Sequence, residues 1–348
     1  MSAAVVLPCV ELNETAAFFE NLGFQTDAVI PADDPLVLSM SGHGLSLRLD
    51  RRSAGAAGSI RLEVEDPEEF LGRELTAPNG TQVTVAKAGN PMVLPDLNAE
   101  LIVSHLSEDC FGVGRAGMFY RDLIPGRQGG RFIASHIKIP VGGAVPDMVH
   151  YHRVRFQMLY CYKGWVTVQY EDQGDLITMH AGDAVLQAPE IRHRVIENSN
   201  GFEIIEIGCP AEHDTFFDHD LELPTASRLP DRNFGGQRFV HHIAADTSWN
   251  ADDLGFERRD IGIAAATDGL AGAQVLRTLT TNATSELAHD LEFCFRFILD
   301  GTASFEIDGE THKLGAGDSL VIPAGMPHSI ATRSQDLQIL EVTLPPKI

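Results

Sequence analysis

Beyond residue 130 the chain alternates apolar and polar positions in short runs. They read RFIASHIKIP from Arg131, GWVTVQY from Gly164, LITMHAG from Leu176, AVLQAP from Ala184, RHRVIE from Arg192 and EIIEIG from Glu203. Period-two runs of this length, divided by Gly and Asp turns, predict an antiparallel sandwich or barrel. The first hundred residues follow another rhythm. Ala3–Pro8 predicts a short strand, and Asn13 is placed to cap a helix through Thr15, Ala16, Phe18 and Phe19 that Gly23 stops. Gln25–Ile30, Leu36–Met40 and Leu45–Leu49 then predict three strands, so the order is βαβββ. A weaker copy runs from Ile60 through Pro67–Leu75 and Gln82–Ala86 to Leu101–Ser104. Residues 106–130 are a glycine-rich connection.

The pattern after residue 130 returns later in the chain. Arg121-Asp122 comes back as Arg259-Asp260, His152 as His289, Gly164 as Gly301 and His193 as His328, at offsets of 138, 137, 137 and 135. An internal repeat outranks other fold evidence. It predicts two sibling β-barrels at 131–215 and 263–348, a connector at 216–262, a linker at 106–130 and a separate domain at 1–105. The fold class expected is mainly β, with two tandem barrels preceded by an α+β domain.

The chemistry concentrates between His150 and His193. His150 and His152 stand at i and i+2, on one face of an extended strand. Gln157 and Gly164 follow, then Gly182, Pro189 and His193. An isolated HxH is ordinarily two polar residues on a strand, but this spacing resembles the two signature motifs of the cupin superfamily. Gly143, His150, His152, Gln157 and Gly164 stand for the first. Gly182, Pro189 and His193 stand for the second, with the proline one place late and the inner glycine missing. The resemblance implies double-stranded β-helix (jelly-roll) barrels and a divalent transition metal at His150, His152, His193 and Gln157. Fe2+ is the expected ion, with Zn2+, Ni2+ or Mn2+ as alternatives. Gln157 must cross strand parity to reach that site, so a β-bulge is expected before it. An amide there leaves the ion's charge uncompensated and cannot serve as a general base.

The second copy keeps Gly317, Pro323, Gly325 and His328 at every family position. However, Leu287 stands in the place of His150 and Cys294 in that of Gln157, so it is expected to be a degenerate site without metal. Catalytic candidates in the first copy are Gln157 and Glu206. His136 and Lys138 are further possible proton carriers. Alternation turns Tyr151, Arg192 and Arg194 outward, turns Leu159 and Cys161 inward, and puts Tyr160 and Tyr162 on a covered opposite face.

The N-terminal βαβββ order, with its AAFFENLGF helix end, resembles a module of the glyoxalase/bleomycin-resistance (vicinal oxygen chelate) superfamily. That family's metal ligands do not carry over, because the first strand holds no His or Glu. Residues 1–105 are therefore expected to be structural or dimer-forming, and His43, in a glycine turn, to be exposed.

Composition narrows the partners. A net charge of −23 with 26 basic residues argues against nucleic acid or an anionic membrane. Five scattered cysteines (9, 110, 161, 209, 294) without a CxxC pair read as reduced thiols. No signal peptide or run of eighteen apolar residues is evident, so a cytoplasmic protein, on base rates a homodimer, is expected. The cupin resemblance implies a small-molecule substrate. Its leading implication is a dioxygenase acting on an aromatic, hydroxy-acid or dicarbonyl compound. The alternatives are a redox-neutral Lewis-acid enzyme (isomerase, lyase or polyketide-type cyclase) and a non-catalytic small-molecule binder.

Overall fold

The structure is a computed structural model that describes residues 2–89, 92–114, 118–282, 284 and 287–346. The chain divides into two compact units, Met1–Pro91 and Met92–Ile348.

In the first unit the strands Val5–Pro8, Leu45–Asp50, Val37–Gly42 and Gln25–Ile30 lie side by side in that order. The helix Leu12–Asn21 sets Leu12, Ala16 and Phe19 into one core with Leu38, Met40, Leu47 and Leu49. This is the βαβββ order expected. The helix begins earlier than the Asn13 cap allows, with Glu11 at the N-cap and Thr15 N–H bonded to the Glu11 carbonyl. Burial of Leu12 carries the first turn upstream. Gly23 follows the helix at φ +93°, as a terminating glycine does. His43 is exposed as expected, and its Nε2 lies 2.7 Å from the Leu22 carbonyl at the end of the same helix. The weaker copy is only part of a module. Ser59–Val64 and Gln82–Lys87 pair in parallel, joined through a 3-10 turn at Pro67–Phe70 rather than a helix to Leu75.

The second unit holds both barrels. In the first, one sheet contains the strands Phe119–Asp122, Ile133–Ile139, Phe202–Cys209, Phe156–Lys163 and Ala184–Leu186. The facing sheet contains Ile177–His180, Trp165–Tyr170, His193–Asn198, His150–His152 and Thr215–Phe217. The second barrel repeats this plan: Phe256–Asp260, Gly272–Thr278, Gln338–Leu344, Phe293–Asp300 and Ser319–Val321 face Glu310–Gly315, Thr302–Ile307 and His328–Arg333. The large sheets of the two barrels share one core, in which Phe132, Phe156, Met158 and Ile207 pack with Phe293, Phe295, Phe297 and Val342. Tyr160 and Tyr162 sit at this junction, so the covered face expected for them is covered by the sibling barrel.

The expected boundaries change in three places. Ile102–Ser104 does not end the N-terminal domain, because it pairs with Ser319–Val321 as the edge strand of the second barrel. Val240–His242, expected in the connector, pairs with Ala184–Leu186 of the first barrel. The 106–130 connection also supplies the strand Phe119–Asp122 to the first barrel. Each barrel thus covers the strand Ala184–Leu186 or Ser319–Val321 with a short strand from outside its own repeat, which pairs N–H and C=O groups that would otherwise form a longer open edge. Arg121, fully buried, fastens one exchange by donating to the Gly317 carbonyl (2.6 Å) and the Ser104 carbonyl (2.9 Å).

Candidate metal centre in the first barrel

His150 and His193 are register partners on adjacent antiparallel strands, with ring centroids 4.3 Å apart. His152, two residues along the same face, brings a third ring within 5.3 Å of His193. The candidate ligand atoms of the three lie within 4.8 Å of one another. Each Nδ1 is already engaged: His150 with the Met148 carbonyl at 2.8 Å, His193 with the Ile191 carbonyl at 2.9 Å, and His152 with Thr215 Oγ1 at 3.0 Å. A carbonyl partner fixes the proton on Nδ1 of His150 and His193 and makes their Nε2 the nitrogen that offers a lone pair, whereas the Thr215 hydroxyl can either donate to or accept from His152. Three imidazoles converging in this way suit a divalent transition metal.

The three rings line a cavity of about 780 Å³ whose walls are largely apolar. Ile137, Leu159, Val166, Val168, Met179 and Ile204 make up much of that surface. A single file of hydrogen bonds crosses it. Tyr170 OH donates to Gln187 Oε1 (3.0 Å), Gln187 Nε2 to Gln157 Oε1 (2.9 Å), and Gln157 Nε2 to Glu206 Oε1 (2.6 Å). The direction follows from its end. A carboxylate can only accept, so Gln157 must offer it the amide and turn its carbonyl to Gln187. At the other end the Tyr170 ring stacks on His193, centroids 5.5 Å apart, and burial pushes its phenol above the ordinary value.

Gln157 and Glu206 are thus together in the cavity with the histidines, but Gln157 arrives by a different route than expected. No bulge lies between it and His152. The chain leaves one sheet after His152 and enters the opposite sheet at Phe156, so parity starts afresh. Leu159 lines the cavity and Cys161 lies in the barrel's interior core, as alternation requires. Tyr151 stacks on Phe216, Arg192 bonds Asp218, and Arg194 bonds Gln169 and the Leu223 carbonyl, so all three face away from the histidines.

His136 and Lys138 are not cavity residues. On their strand Ile133, Ser135, Ile137 and Ile139 face the cavity, and the alternate residues face the other way. His136 is fully buried, 2.6 Å from Glu203 and ringed by Phe111, Tyr162 and Phe297, while Lys138 lies over the Phe111 ring. Among the cavity residues that sequence reading missed, four are polar or titratable and lie near the triad or its hydrogen-bond file: Tyr170, Gln187, Thr215 and His213, whose ring meets His152 edge-on at 5.3 Å. Tyr170 was legible, since it shares parity with Val166 and Val168.

Among the described residues at the equivalent place in the second barrel, the His289 and His328 ring centroids lie 5.7 Å apart and the cavity bounded by His328 and Leu287 measures about 20 Å³. Among the described residues, the only group of His, Cys, Asp or Glu close enough to hold a metal ion is the first barrel's triad.

Residues 278–343 match the cupin domain family. No curated protein sequence matches the chain. Among solved structures it resembles salicylate 1,2-dioxygenase from Pseudaminobacter salicylatoxidans, with 16% identity, a TM-score of 0.52 and coverage of 74% of this chain and 88% of that one. It also resembles oxalate decarboxylase from Bacillus subtilis, with 12% identity, a TM-score of 0.52 and coverage of 73% and 77%. Oxalate decarboxylase from Lactobacillus farciminis, in a formate complex, gives 13% identity, a TM-score of 0.52 and coverage of 74% and 88%. Identities this low speak to fold alone. By fold the chain is a tandem pair of cupin barrels preceded in sequence by an α+β unit, with residues 278–343 of the second barrel matching the cupin domain family in sequence.

Proposed function

We propose that the first barrel is the metal centre of an enzyme, a dioxygenase whose substrate is a small aromatic, hydroxy-acid or dicarbonyl compound. The observation that carries this reading is the convergence of three imidazole ligand atoms within 4.8 Å on a largely apolar cavity. His150, His152 and His193 would hold the ion through Nε2. Gln157 is available as a fourth donor, since its carbonyl oxygen has a second lone pair beyond the one Gln187 uses. A redox-active ion such as Fe2+, when bound, would supply a Lewis acid for the substrate and a path for electrons to dioxygen. The chain's own part is to keep the imidazoles neutral and oriented, to keep water out with the apolar walls, and to place Glu206 where it can accept a substrate proton. The dioxygenase among the similar structures supports the reaction class by analogy.

A redox-neutral reading draws on Gln157: with an amide where the family commonly has a carboxylate, every donor around the ion is neutral, which strengthens it as a Lewis acid. The N-terminal unit, whose first strand has no His or Glu, is read as a non-catalytic vicinal-oxygen-chelate-like domain, and the assembly as a cytoplasmic homodimer.

Anaerobic purification followed by metal analysis and oxygen-electrode assays decides between the two chemistries. The probes are catechol, a 2-hydroxy acid and a 1,3-dicarbonyl. Bound iron with substrate-dependent oxygen uptake is expected. Zinc, nickel or manganese with turnover that ignores oxygen would replace the dioxygenase reading with the second one.

A further inference from the structure

The two barrels of this chain treat one shared carboxylate differently. Glu206 faces Leu159 across the adjacent strand, and Glu341 faces Arg296 at the same place in the second barrel's register. The offsets, 296 − 159 = 137 and 341 − 206 = 135, are those that relate His152 to His289 and His193 to His328. In the second barrel Arg296 Nε and Nη2 both lie 2.8 Å from Glu341 Oε2, and Gln274 Nε2 donates to Oε1 at 2.8 Å. Both members of the ion pair are buried, with side-chain exposures of 5% and 1%. A guanidinium on the carboxylate therefore occupies the interior of that barrel.

The first barrel keeps the carboxylate without the guanidinium. Leu159 stands for Arg296, and Ser135 opposes Glu206 where Gln274 opposes Glu341. Among the described residues Glu206 accepts one hydrogen bond, from Gln157 to Oε1. Glu206 lines a cavity of about 780 Å³. Arg127, the one Lys or Arg among the described lining residues, is held 3.2 Å from Asp122. An uncompensated carboxylate against apolar walls disfavours anions and rewards a cation or strong N–H donor.

We propose that the first barrel's substrate carries a protonated amine or amidinium group that sits on Glu206, in the place the Arg296 guanidinium takes in the second barrel, with an apolar body against Ile137, Val166, Val168 and Ile204. This names the substrate class for the site proposed above and rests on that cavity being the ligand site. Within the class proposed above it favours aromatic or dicarbonyl compounds bearing that cation over hydroxy-acid anions, and it excludes small dianions.

Benzamidine, benzamide and benzoate share a shape and differ in charge, which makes them suitable probes. Each is titrated by calorimetry into the full-length chain, first stripped of metal and then loaded with zinc, with zinc stoichiometry measured separately. Benzamidine is expected to bind at least about tenfold more tightly than benzoate, the scale of one charge-assisted hydrogen bond. Glu206→Gln should bring benzamidine to within about threefold of benzamide, and Leu159→Arg, which supplies the chain's own guanidinium, should abolish benzamidine binding. Cooperative melting of both variants serves as the folding control. Benzoate binding as tightly as benzamidine, or unchanged benzamidine affinity in Glu206→Gln, would overturn the proposal. Zinc bound without Glu206-dependent benzamidine binding sinks this inference alone, whereas Glu206-dependent binding without stoichiometric zinc sinks the metal reading alone.

Discussion

At Gln157 one amide decides how the cavity's polar groups are shared. It gives its N–H to Glu206 and takes one from Gln187, so each neighbour has a partner of the right sense. Gln157→Glu would set two carboxylates at hydrogen-bond distance, and such a pair cannot stay doubly ionised cheaply. The variant is expected to be less stable than wild type by about 1–3 kcal/mol at pH 7. The gap should narrow towards pH 5 as the pair takes up a proton, because its folded-state affinity for that proton is raised. Denaturant unfolding at both pH values checks this, and a constant gap would contradict it. The three histidines were legible from spacing, because strand alternation and a cross-strand partner leave little freedom in where they point. Thr215 and His213 were not, since they sit in and just before Thr215–Phe217, a strand of three residues that is too short to carry a period.

Among the elements, the step from His150–His152 to Phe156–Lys163 shows where sequence logic failed. Parity was carried through residues 153–155 as though the strand continued, but the chain changes sheets there. Hydrophobic alternation specifies which face a residue takes within a strand, but not which strand lies beside it. For the same reason the strand expected at Leu101–Ser104 is assigned to the wrong domain and Val240–His242 is not expected as a strand, since their partners are distant in sequence. The interior of the second barrel tests a different kind of contact. Glu341→Gln leaves the Arg296 guanidinium buried without its counter-charge and is expected to cost about 3–5 kcal/mol, whereas Arg296→Met with Glu341→Leu should be close to neutral. Urea titrations of both would show it, and equal losses would mean that the pair acts through shape alone.

For the whole molecule, the junction between the barrels joins chemistry to stability. His136 is fully buried there, and burial holds its imidazole below the ordinary 6.5. The unfolded chain takes up that proton as the pH falls below about 6.5 while the folded chain resists it, so stability is full above that value and declines beneath it. Glu203, held below its ordinary 4.5 by the His136 N–H and by Lys163 and Lys138, extends the loss further into acid. Half-buried His241 and buried His242 are lowered by desolvation as well and add to the slope. His136→Gln, which can still donate to Glu203, should flatten the decline between pH 7 and 5 without abolishing it, and an unchanged slope would exclude His136 as a cause. The βαβββ order and the doubled barrel were legible because repeats and periods are properties of sequence, whereas the filling of one barrel and the hollowing of the other depend on how side chains meet.

The claim on which the rest depends is that one ion binds in the first barrel and none in the second. Elemental analysis of the full-length chain, wild type beside His152→Ala and His328→Ala, tests it most directly. One divalent metal per chain is expected in wild type and His328→Ala, with none in His152→Ala. Stoichiometric metal retained by His152→Ala, or lost from His328→Ala, would contradict it.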